Sequence, residues 1–226
     1  MHSTSLRRPA GALLAAVVGV FGVATVASAT PVAQQVNDFE SGTTQSWTNG
    51  GGAPEPLNVN TGGPAGNDDN FLRVNARGGS GAGSRLATYN RSTQWIGNYT
   101  TARLTSVEMD LKNLGTSPLV MRLGLQETGG TRFASALPFN LPADGLWHHA
   151  TFGLGSSDLT RIGSTSYTTA MTRINELRII HSTAADFMGD PINSSVGIDN
   201  IRAVPEPALL GAAGAAALLL MRRRRR

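Results

Sequence analysis

Carboxylates, histidines and large aromatic rings are the side chains of this sequence whose types and spacing could do chemistry. Glu108 and Asp110 stand two apart in a segment that alternates strictly, with Val107, Met109 and Leu111 on one face and Ser106, Glu108, Asp110 and Lys112 on the other. Paired carboxylates are what acid–base hydrolysis requires. His148 and His149 are neighbours, so on a strand they point to opposite sides and cannot share a metal. His181 is far away in sequence, a three-histidine zinc site lacks a further ligand, and structural histidines with satisfied ring nitrogens are the expected reading. The loop Asn67-Asp68-Asp69-Asn70 lacks the spacing of an EF-hand, and Asx turns account for it at least as well as a cation does. The chain has no cysteine, which excludes thiol chemistry and thiolate metal sites. It has no Gly-x-Ser-x-Gly elbow and no His-Glu-x-x-His pair. The glycine-rich stretch 77–83 lies between two strands, so no helix N-terminus waits there for a phosphate.

Sugars stack on flat aromatic faces while polar neighbours orient their hydroxyls. Trp95 and Tyr99 sit among Gln94, Asn98 and Thr100, a mixture suited to sugar contact, and are the candidate ligand-binding residues. For both, core or rim packing is the favoured reading and sugar contact the alternative. Trp47 and Trp147 are expected in the core.

These side chains must be positioned by strands. Period-two segments cover 103–112 and 119–126, and the short link 113–118 with Gly115 and Pro118 predicts an antiparallel hairpin between them. Further strands are expected at 35–40, 56–60, 71–75, 84–88, 132–138, 147–154, 173–181 and 195–203, separated by Gly- and Asn-rich loops. A single helical turn is expected at 184–188. Many short strands without βαβ alternation predict an all-β fold, an antiparallel two-sheet β-sandwich.

The two ends differ from the middle. Arg7 and Arg8, the apolar run 10–26 and then Ala27-Ser28-Ala29 form a secretory signal peptide, helical, covering 1–29 with cleavage after Ala29. Residues 30–203 form the sandwich domain, and 204–226 form a tail of Val204-Pro205-Glu206-Pro207, an apolar helix over 208–221 and five arginines. Fourteen apolar residues at about 1.5 Å each span roughly 21 Å, short of a hydrocarbon core of about 30 Å. Arginine stems can snorkel and lengthen that span, so the run is read as a transmembrane helix in transit, its basic end held in the cytoplasm, with an ordinary C-terminal membrane anchor as the alternative. Between residues 30 and 207 there are 12 basic against 15 acidic side chains, a net of −3. The basic character of the whole chain thus belongs to its ends, and no nucleic-acid partner is inferred. The tail resembles the PEP-CTERM sorting signal of Gram-negative bacteria. That resemblance implies recognition and cleavage at Pro205-Glu206-Pro207 by an exosortase in the membrane, with export to the cell surface or extracellular matrix.

A second resemblance runs through the middle. Asp38-Phe39-Glu40, Ser46-Trp47, Trp95-Ile96-Gly97-Asn98-Tyr99, Gly145-Leu146-Trp147 and Gly197-Ile198-Asp199-Asn200-Ile201 occur in the order seen in jelly-roll domains. The chain is similar to the galactose-binding-like, carbohydrate-binding-module type. The resemblance implies a jelly roll whose first and last strands lie side by side. It also implies a structural Ca2+ held by Glu40 and Asp199 with Asp38 adding a ligand, or, without a metal, local backbone bonds for the same carboxylates. The Glu108-Met109-Asp110 run resembles the Glu-x-Asp-x-x-Glu motif of concanavalin-like glycoside hydrolases, but Asn113 stands where the third carboxylate belongs, so the proton donor is missing. The expectation is a non-catalytic protein that binds an extracellular polysaccharide. The alternative is a structural or adhesive matrix protein with no discrete ligand, and an enzyme is the least favoured reading.

Overall fold

The computed structural model describes residues 30–50, 55–81 and 84–207. In chain order these residues form β1 (Val36–Asn37), β2 (Leu57–Val59), β3 (Phe71–Arg77), β4 (Ala87–Asn90), β5 (Leu104–Asn113), β6 (Leu119–Glu127), β7 (Arg132–Ser135), β8 (Phe139–Leu141), β9 (Trp147–Gly153), β10 (Leu159–Ile162), α1 (Tyr167–Ala170), β11 (Ile174–His181) and β12 (Asn193–Pro205). One sheet has the order β2-β3-β12-β5-β9, with β1 also on β12. The other has the order β10-β7-β6-β11-β4, with β8 also on β6. The pairings are antiparallel, and the two sheets make the expected sandwich. The first and last strands are neighbours: Val36 pairs with Arg202 and Asn37 with Ile201.

Alternation along the strands builds the core. Val107, Met109 and Leu111 of β5 and Leu119, Met121, Leu123 and Leu125 of β6 are buried in one cluster. The predicted β5–β6 hairpin does not form. β5 pairs with β12 and β9, whereas β6 pairs with β11, β7 and β8. Each strand carries an apolar face of its own, and placing them in opposite sheets buries both faces against a common core. The link between them crosses from sheet to sheet. It is braced by Asn113, whose Nδ2 donates to the Ser117 carbonyl at 2.9 Å and whose Oδ1 accepts the Gly115 amide at 2.9 Å.

β12 is the central strand of its sheet. β3 runs along its first half, from Asn193 to Ile198, and β1 takes the same edge at Ile201 and Arg202. Between them the register with β5 shifts across Asp199 and Arg202, and Asn200 adopts a φ of 51°. This is a β-bulge, which leaves residues unpaired and re-aims side chains.

The expected helical turn at 184–188 is a series of bends. The short helix is α1 instead, capped by Ser166, whose Oγ accepts the Thr169 amide. The expected signal-peptide and sorting helices lie outside the described residues. The transmembrane-helix expectation is corrected: among the described residues no helix is long and apolar enough to cross a membrane. The run 208–221 on which it rested is outside them, and its length is short of the hydrocarbon core.

Candidate functional site

Trp95 and Tyr99 are 0% and 2% exposed, so neither ring offers a face to a sugar, and their reading as ligand-binding residues is corrected. They are core. Trp95 packs on Trp47 with ring centroids 6.0 Å apart. Both indole N–H groups donate to Asn37 Oδ1, at 2.8 and 2.9 Å, and Asn37 Nδ2 donates to Gln94 Oε1 at 2.9 Å. The Tyr99 hydroxyl donates to the Trp95 carbonyl at 2.8 Å, and burial raises its pKa. Trp147, expected inside, leaves the core. It pairs across strands with Lys112 and therefore shares that residue's solvent-side face. Its ring meets Phe71 edge-on at 5.4 Å, and its indole N–H donates to the Gly62 carbonyl at 3.0 Å.

The bulge in β12 gathers acids. Asp199 is 1% exposed; Oδ1 accepts the Asn200 amide at 2.7 Å, while Oδ2 is buried with no hydrogen-bond partner. Burial, reinforced by the negative charges of Asp69, Asp110 and Glu40, pushes its pKa up to about 8. Two acidic stretches far apart in sequence, the Glu40 and Asp199 pair and the 67–70 loop, thus share one neighbourhood. Glu40 Oε1 accepts the Asn70 amide at 2.7 Å, which ties the end of β1 to the start of β3. Asp38 serves its own turn instead. Its Oδ1 accepts the Glu40 amide and the Gln45 side-chain amide, each at 3.3 Å, and it is absent from the charges acting on Asp199. Among the described residues no three His, Cys, Asp or Glu side chains converge tightly enough to hold a metal as they stand. The orphaned Asp199 oxygen in an excess of carboxylate is nonetheless the donor set that suits a hard oxygen-seeking cation.

The remaining candidates are engaged structurally. Arg202 clasps Glu108 Oε2 through Nε at 2.9 Å and Nη2 at 2.6 Å. Asp110 accepts from Asn200 Nδ2 at 2.8 Å and lies 3.0 Å from His149 Nδ1. His148 pairs with Asp144, whose pKa is lowered first by the Leu146 amide and then by that histidine. His181 Nδ1 accepts the Val120 amide at 2.9 Å, and burial lowers its pKa. Of the processing residues, Ala29 is outside the described residues. Pro205 is the last residue of β12, the exposed Glu206 donates its amide to the Arg103 carbonyl at 2.8 Å, and Pro207 follows, exposed.

The solvent face of the other sheet carries a feature that the sequence reading missed. Register places Tyr89, Arg178, Gly124 and Ala134 on one rung, and Glu176, Gln126 and Arg132 on the next. Gly124 leaves a hollow that Phe187 fills; a Cβ there would stand 2.9 Å from the Phe187 ring. Guanidinium groups then cover the rings. Arg178 and Arg132 lie 4.2 and 5.0 Å from the Phe187 centroid, and Arg91 and Arg178 lie 4.8 and 5.5 Å from that of Tyr89. Glu176, its side chain 1% exposed, bridges Arg91 and Arg178 at 2.6 Å each. Burial draws the Arg178 pKa down against the pull of Glu176, and Arg132 and Arg91 push the same way as burial.

No protein-family model and no curated protein matches the chain. Among solved structures, an exo-β-agarase matches with a TM-score of 0.54 at 16% identity over 75% of this chain, which spans 24% of the agarase chain. A family 11 carbohydrate-binding module from Clostridium thermocellum, in complex with a β-1,3-1,4-mixed-linked tetrasaccharide, matches with a TM-score of 0.47 at 12% identity, covering 75% of this chain and 93% of the module. A family 30 carbohydrate-binding module matches with a TM-score of 0.46 at 13% identity, covering 82% and 91%. The agarase match is a likeness of fold.

Proposed function

We propose that this chain is a non-catalytic polysaccharide-binding protein of the cell surface or extracellular matrix. The observation that carries the reading is the solvent face of the β10-β7-β6-β11-β4 sheet, where four strands present Tyr89, Arg91, Arg178, Gln126 and Arg132 together. Its fold likeness to a portion of an exo-β-agarase supports the same ligand class. Export follows from the signal peptide, and sorting from exosortase cleavage at Pro205-Glu206-Pro207, both read from sequence. Structural Ca2+ belongs to the same reading. Glu40, Asp69 and Asp199 would hold it beside the β12 bulge, and its charge would answer the unpartnered Asp199 oxygen.

Affinity electrophoresis of the full-length protein through gels containing different polysaccharides, with calcium and with chelator, tests the binding. Retardation by at least one polysaccharide is expected. Free migration through the whole panel under both conditions overturns the reading and leaves a structural matrix role, to which the 27 glycines and their loops are suited.

A further inference from the structure

The composition of this face narrows its ligand, an inference that rests on the polysaccharide-binding reading. A neutral sugar needs an open aromatic plane to stack on. Here Phe187 is buried, and guanidinium groups lie over both it and Tyr89. The layer turned outward is therefore guanidinium. Three arginines, 91, 132 and 178, face a single carboxylate among them, the sealed Glu176. Asp186 in the neighbouring loop turns its Oδ1 to the amides of Phe187 and Met188. Positive charge thus exceeds negative here, in a segment whose net charge is −3.

Geometry adds length to charge. Arg91 follows β4 and Arg132 opens β7, with β11 and β6 between them. At about 4.8 Å per strand the two ends stand roughly 14 Å apart, long enough to follow an extended chain of sugars rather than a single ring. Arginine's planar fork matches a carboxylate through two parallel N–H···O bonds. We infer that the ligand of this face is an acidic polysaccharide bearing ring carboxylates, gripped by Arg91 and Arg132 at the two ends of the row.

The test is affinity electrophoresis of the full-length protein in gels containing polygalacturonate, its neutral methyl ester, or polyglutamate. Polygalacturonate is expected to retard the protein strongly, and the R91Q/R132Q variant to bind it at least tenfold more weakly. R132Q alone, which breaks no ion pair to a buried acid, gives the same direction if the double variant folds poorly. The five arginines of the tail are common to all these proteins, so retardation by each polymer is counted as the excess of the parent over R91Q/R132Q. Equal retardation by the methyl ester overturns the inference and leaves polysaccharide binding standing. No retardation by any polysaccharide overturns both. Equal retardation by polyglutamate, or variants that bind polygalacturonate like the parent, overturns the inference by showing charge attraction without this face.

Discussion

Glu176 and Asp199 are both carboxylates shut away from water, one on the outer face of each sheet, and they are treated oppositely. Glu176 lies between two guanidinium groups, with both oxygens engaged. Asp199 has one oxygen on a backbone amide, the other on nothing, and three more acids around it. A buried charge costs several kcal/mol unless a partner answers it. The chain therefore answers the charge of Glu176 from within and leaves that of Asp199 open at the β12 bulge. The first arrangement is a finished structural unit. The second is finished only by a proton or a cation.

The sharpest way to break this contrast is to remove each charge in turn. Glu176→Gln leaves Arg178, largely buried and stacked on Phe187, short of its counter-ion. A loss of about 3–5 kcal/mol is expected in urea unfolding. Asp199→Asn removes a carboxyl that in chelator must either hold a proton or stand as an uncompensated charge, and it is expected to leave stability unchanged or raise it. Equal losses from the two substitutions would end the comparison.

The second test supplies the missing partner. With calcium at a hundredfold excess over its dissociation constant, linkage predicts a gain of about 2.7 kcal/mol. Asp199→Asn should abolish it. Isothermal titration with calcium alone checks the same point without unfolding, and silence in both measurements removes the metal from the reading.

Some of this contrast was legible in the sequence. Alternation over 103–112 and 119–126 identified β5 and β6, because one buried face imposes a period of two regardless of context. The nearness of Glu40 to Asp199 came only with the jelly-roll resemblance, which implies that the first and last strands lie side by side, as β1 and β12 do. The convergence of Asp69 and Asp110 on Asp199 was hidden, since it depends on a bulge and on Asn200 at positive φ. The hairpin error has the same root: a six-residue gap fits a turn within one sheet as well as a crossing between two. The arginine face was least visible. Its members are scattered from Tyr89 to Phe187 across four strands and a loop, and each looks like an ordinary surface residue. The signals available were Gly124, which leaves a gap between Arg122 and Gln126 on the outward face of β6, and a phenylalanine in a loop between two strands.

The pH dependence sharpens the acidic side of the comparison. An unfolded aspartate ionises near pH 4, whereas Asp199 in the fold holds its proton up to about 8. Between those values the folded state carries a proton that the unfolded state has lost. Stability should therefore fall as pH rises through this window and level off above it. Melting temperatures in chelator from pH 4 to pH 9 should show the slope. Calcium or Asp199→Asn should flatten it, and a slope that survives Asp199→Asn must come from another group.

The smallest expected effect lies on the basic side. Arg132 donates from Nε to Gln126 Oε1 at 3.0 Å and lies 5.0 Å from the Phe187 centroid, with no buried acid depending on it. Removing it forfeits a partly exposed cation–π contact of about 0.5–1 kcal/mol and strands no charge. Arg132→Gln is therefore expected to shift the urea midpoint slightly while weakening retention on polygalacturonate. A loss near that of Glu176→Gln would mean that Arg132 belongs to the structural unit around Glu176. In that case the outward guanidinium layer holds the sheet together and is not free to hold a ligand.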